Sequence, residues 1–290
     1  LTSYPSDFDV TKVTKKNTKR KPTAPFITST MQRAASSKLG FGVQKTMQVA
    51  QKLYEGIEID GTPVGLITYM RTDSVRVSDD AQAMAKDFIL GNYGEKYYPE
   101  KPNIYVKGKQ NVQDAHEAIR PSYPERTPES IKKYLDNDQF KLYKLIWDKF
   151  MSSQMTPADI ANKTVEITAG DYTLKAGTSK VTFDGFLKVY NDADEEEQKA
   201  EAKIPDLNEG DKVKCLKVEP KQHFTQPPPR YNEASLVKAL EEYGIGRPST
   251  YATIITVIQT RKYVEKKDKA LHPTLLGRTV SKQLVAQFAD

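Results

Sequence analysis

The spacing of apolar residues changes period twice along the chain, and this constrains the fold more than any other feature of the sequence. Val43, Met47, Ala50, Leu53 and Tyr54 fall three or four positions apart, the rhythm of one helix face. After Pro157 the rhythm becomes two. Val165/Ile167, Tyr172/Leu174, Val181/Phe183 and Leu187/Val189 alternate, separated by Ala169-Gly-Asp171, Ala176-Gly177 and Asp184-Gly185. Alternation broken by Gly and Asp reads as a β-meander. Helical spacing returns after Pro227-Pro-Pro229. The two periods cannot share one regular element, so the chain reads as a mixed α and β, multidomain protein.

Local signals divide it further. Residues 1–24 are polar, rich in Thr and Lys, and read as an extended segment of the β-rich part. Residues 25–155 read as a helical domain. Ser29-Thr-Met-Gln32 has capping-box spacing for a helix to Gly40, and Gly42 to Tyr54 forms a second one. Asp60-Gly61 marks a turn, and Val64 to Met70 reads as a strand or buried extended segment. Ser78 caps a helix to about Leu90, with Asp79 and Asp80 favourable to its dipole. A helical segment is expected around His116, another opens at Pro128, and a long one runs from Asp138 to Met155. Residues 156–222 read as β-rich, with a strand at Lys212 to Val218. In residues 223–290, a helix at Ala234 to Tyr243 is closed by Gly244, and a second runs from Ser249 to Arg261. A hairpin around Lys266 to Lys269 and a final helix near Leu275 complete a winged-helix-like order.

Bulk composition narrows the function classes. No apolar run approaches the roughly 18 to 20 residues that span a bilayer, and mean hydropathy is -0.64. The single Cys215 can form neither an internal disulfide nor a zinc cluster, which suits a reducing, cytosolic setting. With only three His as further soft donors, a transition-metal site within this chain is not expected. Lys and Arg number 44 against 38 acidic residues, a net charge of +6 that tilts the chain toward a polyanionic partner. The basic run Lys12 to Lys21 and the acidic run Asp194 to Glu197 read as solvated loops. The chain starts at Leu1 without an initiator Met and stops inside a helical pattern, so an excerpt of a longer protein is expected.

Gly65-Leu-Ile-Thr-Tyr-Met-Arg-Thr-Asp-Ser74 holds the most chemistry. In extended backbone, Tyr69 and Arg71 share one face. A phenol, titrating near pH ~10, is a weak nucleophile until a neighbour favours the phenolate. A guanidinium does so and also neutralises phosphate oxygens. Taken alone, Tyr-x-Arg also describes a half-buried tyrosine beside a solvent-facing arginine. His116 and Arg120 would share a face if their segment were helical. His116 reads either as a phosphate-holding group or as an imidazole satisfied by Glu117 or Asp114. Gly244 to Tyr251 lacks both the preceding strand and the GK[ST] of a nucleotide loop. It reads instead as a C-cap at Gly244 followed by Ser249 or Thr250 capping a helix, with Arg247 beside the new helix start, where a phosphate suits.

The string Ile67-Thr-Tyr-Met-Arg-Thr-Asp-Ser74 resembles the active-site signature of type IA DNA topoisomerases. Met70 fits the bacterial topoisomerase I branch, since the topoisomerase III branch usually has Pro there. Further colinear stretches resemble the same family: Phe26-Ile-Thr-Ser-Thr-Met-Gln32, Leu39-Gly-Phe-Gly42, His116-Glu-Ala-Ile-Arg-Pro121, Gln154-Met-Thr-Pro157, His223-Phe-Thr225 and Gly244-Ile-Gly-Arg-Pro-Ser-Thr-Tyr251. They cover about residues 22 to 280.

The resemblance implies a toroid-like architecture: a helical domain with the catalytic tyrosine, a β-rich arch, and part of a helical DNA-binding domain. It implies Tyr69 as the covalent nucleophile, forming a 5′-phosphotyrosine and passing the other strand without ATP. Arg71 and His116 would be catalytic and DNA-contacting residues; Arg247, Ser249, Thr250 and Tyr251 would contact DNA. Arg120 is read as structural. The implied partner is DNA, single-stranded at the cleavage site, with no nucleotide or membrane, for a cytoplasmic, nucleoid-associated monomer. The family's magnesium belongs to an N-terminal Toprim domain with an acidic cluster that Asp7 and Asp9 do not reproduce. No cofactor is therefore expected in this chain, and the chain alone is expected to be inactive or nearly so. The competing expectation is a non-catalytic single-stranded DNA-binding module in which Tyr69 is structural. A reverse-gyrase segment is a third reading, with nothing in the sequence to favour it.

Overall fold

A computed structural model describes residues 7–106, 116–191, 204–217 and 219–288 of the chain. Mixed helices and antiparallel sheets fall into two compact units, Leu1–Pro22 with Met155–Pro227, and Thr23–Gln154 with Pro228–Asp290. The acidic run at 194–197 and Asp114 lie outside the described residues.

The first unit is a four-stranded antiparallel sheet. Its strands are β1 (Asp7–Arg20), β4 (Ala158–Ala169), β5 (Tyr172–Phe183) and β6 (Lys212–Lys214), in the order β5-β4-β1-β6. Gly170, at φ 61°, takes the first central position of the two-residue β4–β5 connection, which a II′-type hairpin turn reserves for glycine. The basic run is therefore strand, not a solvated loop, although its lysines stay exposed.

The expected meander is corrected. Ala176 and Gly177 do not form a turn but pair with Val165 and Thr164 within β5, since small residues cost a ladder packing and not hydrogen bonds. Leu187 and Val189 are not strand either. Gly185 lies so close to Pro157 that a Cβ would sit 2.4 Å from its carbonyl oxygen, and the chain turns there into a short 3-10 segment, Gly185–Lys188. That turn buries Phe186, whose amide donates to the Thr156 carbonyl at 2.9 Å.

The second unit holds most of the core. Its elements are α1 (Thr28–Ala34), α2 (Val43–Glu55), the hairpin β2 (Ile57–Ile59) and β3 (Thr62–Val64), α3 (Asp79–Asn92), α4 (Pro128–Ile131) and α5 (Asn137–Ser153). Residues 228–290 add α6 (Glu233–Glu242), α7 (Tyr251–Thr260), the hairpin β7 (Val264–Lys267) and β8 (Ala270–Pro273), and α8 (Leu275–Gln287). Helix, turn, helix and hairpin thus follow in the expected winged-helix-like order. Among the described residues no helix is long and apolar enough to cross a membrane.

Local chemistry explains most boundaries. Asp60 and Gly61 both take positive φ, the requirement of a tight I′ hairpin turn. Ser78 accepts from the Ala81 amide to start α3, and Asp136 and Gln139 form a reciprocal capping box at α5. Tyr143, Leu142, Ile146, Phe150 and Met151 of α5 are fully buried with Met31, Leu53, Met70 and Ile119. A second cluster joins Val43 of α2 to Val237 and Leu240 of α6 and to Tyr251 and Ile255 of α7.

Two starts differ from the sequence reading. α1 begins at Thr28, not after Ser29, and the Thr30 hydroxyl accepts from the Ile27 amide while Ser29 and Gln32 are buried. The segment at His116 is extended, not helical. Ile119 bridges Phe26, and Pro121, which disfavours helix at Arg120, bridges Ile67.

Candidate active site

Segment 66–72 is held on both sides by backbone hydrogen bonds. On one side, Thr68 donates its amide to the Arg120 carbonyl at 2.9 Å and its hydroxyl to the Ala118 carbonyl at 2.7 Å. The Thr68 hydroxyl also accepts from the Arg120 amide at 3.0 Å. On the other side stands Thr28, in the first turn of α1. Its amide donates to the Thr72 carbonyl at 2.9 Å, and its hydroxyl donates to the Met70 carbonyl at 2.7 Å and accepts from the Thr72 amide at 2.9 Å. A third tie comes from α2, whose Leu53 carbonyl accepts from the Leu66 amide at 2.8 Å. Tyr69 therefore sits between pinned neighbours.

Side chains along the segment alternate. Met70, Thr72 and Ser74 are buried, whereas Tyr69 is half-buried and Arg71 exposed. Tyr69 and Arg71 line the same cleft, of about 1140 Å³. Its long wall is the polar face of α2, including Lys45, Gln48 and Lys52, and its far wall is α7 with the turn before it, including Ser249. Lys45 is held by an ion pair to Asp138 of α5 at 2.7 Å.

The Tyr69 ring has aromatic neighbours on two sides. The His116 ring lies 5.6 Å away, tilted by 31°, and the Tyr54 ring lies 5.3 Å away, edge-on at 64°. The tertiary fold thus brings His116 to Tyr69. Glu117 is not its partner. Glu117 bonds the Arg120 Nε at 2.7 Å, and Arg120 also donates to the Pro121 carbonyl. Burial raises the Glu117 carboxyl, but Arg120, with Ser78 and Arg76, outweighs it and holds the group below the ordinary carboxylate range.

The turn before α7 places the remaining candidates. Gly244 and Gly246 take positive φ, and the exposed Arg247 donates to the Gly246 carbonyl at 2.7 Å. Thr250 stands at the cap position of α7, but its hydroxyl turns back to accept from the Arg247 amide, so it fixes the turn and does not cap forward. Tyr251 is a buried residue of the second core cluster. Its ring packs with Val43, Val237, Leu240 and Ile255, and burial, aided by the Glu241 carboxylate, pushes its phenol up.

Sequence reasoning missed Tyr54, Thr28, Thr68 and the cleft wall on α2. For α2 a signal existed: Lys45, Gln48 and Lys52 are three and four apart, a polar stripe opposite the apolar one. No cluster of three or more His, Cys, Asp or Glu suited to a metal occurs among the described residues, so the donor set for the magnesium implied by the resemblance is not found there.

Comparison with known proteins gives consistent results. Residues 2–290 match the family model described as DNA topoisomerase. The chain is 50% identical over 285 residues to "DNA topoisomerase 1" of Rickettsia felis, covering 97% of this chain and 37% of that protein. It is 48% identical over 285 residues to "DNA topoisomerase 1" of Xylella fastidiosa strain 9a5c, covering 96% of this chain and 35% of the other. Its fold matches full-length topoisomerase I from Thermotoga maritima with a TM-score of 0.87 at 40% identity, over 99% of this chain and 46% of that one. The chain thus spans little more than a third of the curated relatives it matches.

Proposed function

The chain belongs to the bacterial DNA topoisomerase family, and from that premise we propose that it carries the nucleophile of a type IA enzyme, Tyr69, in the cleft between α2 and α7. The observation that carries this reading is the placement of Tyr69 and Arg71 along one cleft that Ser249, in the turn before α7, also lines.

In the proposed reaction the Tyr69 phenol oxygen attacks a phosphodiester of single-stranded DNA. The bond from phosphorus to the 3′ oxygen breaks, the 5′ phosphate stays on Tyr69, and a 3′ hydroxyl leaves. Reversal by that hydroxyl restores the strand, and because the ester retains the bond's free energy no nucleotide is consumed. Arg71 neutralises the phosphate oxygens as charge builds on them. His116, against the Tyr69 ring, holds the phosphate or exchanges the proton. Lys52 and Arg71 attract the backbone, Gln48 hydrogen-bonds it, Ser249 meets it across the cleft, and the exposed Arg247 of the same turn meets it beyond the cleft lining. Magnesium, in this reading, is bound outside the described residues, and no step here is routed through it. The protein acts as a cytoplasmic, monomeric enzyme, and this chain alone is inactive or nearly so.

The test is a chimera in which this chain replaces the matching residues of the Rickettsia felis relative. Incubation with a 3′-end-labelled single strand and denaturation yields labelled protein if the reading holds. A chimera that relaxes DNA without ever forming such an adduct contradicts it. Adduct-free strand binding that survives every substitution at Tyr69 supports the module reading instead.

A further inference from the structure

We infer that Tyr54 is a positioning residue for Tyr69, an assignment that rests on Tyr69 being the nucleophile. Tyr54 occupies the last turn of α2, where its backbone and the signature segment touch. The Leu53 carbonyl accepts from the Leu66 amide, and a Cβ on Gly65 would lie 2.9 Å from the Tyr54 carbonyl oxygen. The helix end is therefore fixed against the strand only a few residues before Tyr69. From that platform the Tyr54 ring meets the Tyr69 ring edge-on at 5.3 Å, while His116 lies 5.6 Å from the same ring.

Among the described residues no other ring contact accounts for a tyrosine here. The buried face of α2 is formed by Val43, Thr46, Val49, Ala50 and Leu53, whereas Tyr54 is 40% exposed and off that face. Its contact with Tyr69 closes one side of a slot, with His116 on another. A tyrosine ring has two free torsions, and a slot removes rotamers that turn it away from the cleft. Holding the attacking group near its reactive geometry before the substrate arrives speeds the chemical step without tightening substrate binding. The positioning role is assigned to the edge-on ring contact and not to the Tyr54 hydroxyl.

The experiment measures single-turnover cleavage and strand affinity separately, in the chimera described above. Tyr54→Leu is expected to slow adduct formation by about 3- to 10-fold, the range an aromatic pair corresponds to, with the strand dissociation constant unchanged. Tyr54→Phe is expected to restore the rate to within about twofold of the unsubstituted enzyme. A Tyr54→Leu rate equal to the unsubstituted one overturns the proposal. So does a Tyr54→Phe enzyme as slow as Tyr54→Leu, which makes the hydroxyl the active part, or a parallel loss of affinity, which makes Tyr54 a base-stacking wall. Should Tyr54→Leu fail to fold by circular dichroism, Tyr54→His must cleave faster than Tyr54→Gln, and equal rates overturn the proposal. Tyr69→Phe run alongside isolates the underlying reading: persistent adduct there removes the nucleophile itself, whatever Tyr54 does.

Discussion

The Thr28 hydroxyl donates to the Met70 carbonyl at 2.7 Å and accepts from the Thr72 amide at 2.9 Å, so one buried threonine brackets Arg71 and fixes the residue after Tyr69. The active segment inherits the rigidity of α1 through this side chain and the Thr28 amide, which donates to the Thr72 carbonyl at 2.9 Å. Thr28→Val keeps the shape and leaves the Thr72 amide without its acceptor inside the core. A loss of about 1 to 3 kcal/mol is expected, the cost of a buried group left unpaired. Urea unfolding checks it, and Thr28→Ser should recover most of the loss.

Gly65 is expected to tolerate no side chain. An alanine Cβ would lie 2.9 Å from the Tyr54 carbonyl oxygen, closer than real Cβ contacts, and backbone must move to relieve it. Gly65→Ala should cost about 1 to 3 kcal/mol of stability, as overpacking does. It should also slow adduct formation, because the backbone that moves carries both Tyr54 and the start of the signature.

Glu233 ties α2 to the helices that follow Pro228. Its carboxylate accepts from the Val43 amide at 2.9 Å and pairs with Lys266 at 2.7 Å. Glu233→Leu removes both and should destabilise by about 1 to 3 kcal/mol, and more than Lys266→Met, whose exposed ammonium contributes little. Thermal unfolding of the two variants gives the order.

Glu117 predicts a pH dependence with a definite sign. Its carboxyl is held below the ordinary value of 4.5, so the folded state binds its proton less readily than the unfolded chain does. Its contribution to stability is complete above that ordinary value and is lost as pH falls through the lower folded value. Urea midpoints taken downward from pH ~6 should therefore fall less steeply for Glu117→Gln than for the unsubstituted chain. Equal slopes would show that Arg120 gains nothing from the charge.

Strand binding by this chain should weaken with salt. Arg71→Ala and Arg247→Ala should each lower the slope of log affinity against log salt by about 0.7, the value for one single-strand phosphate contact. Fluorescence anisotropy with a labelled strand reads both. Tyr251→Phe, at a core ring, should leave the slope unchanged.

What the sequence makes legible here is local. The three-and-four spacing marks α2 and α5, Asp60-Gly61 marks a turn, and an extended Tyr-x-Arg puts both side chains toward one space. Contacts between distant segments are not legible. Nothing near Tyr54 says that its ring meets Tyr69, because the same spacing serves an apolar stripe. The approach of His116 depends on pairing of Ile119 with Phe26 and of Pro121 with Ile67, which no local signal specifies. The misread strand after Gly185 has the same origin. Leu187 and Val189 alternate as strand residues would, and only the close approach to Pro157 forces a 3-10 turn.

The most direct test of the account is the covalent adduct of Tyr69. In the chimera with the Rickettsia felis relative, a 3′-end-labelled single strand should become attached to the protein through a phosphotyrosine mapping to Tyr69. Tyr69→Phe should abolish the attachment while leaving strand affinity within about twofold, since the ring and the cleft are kept. An adduct of undiminished yield in Tyr69→Phe, or one mapping to another residue, contradicts the assignment.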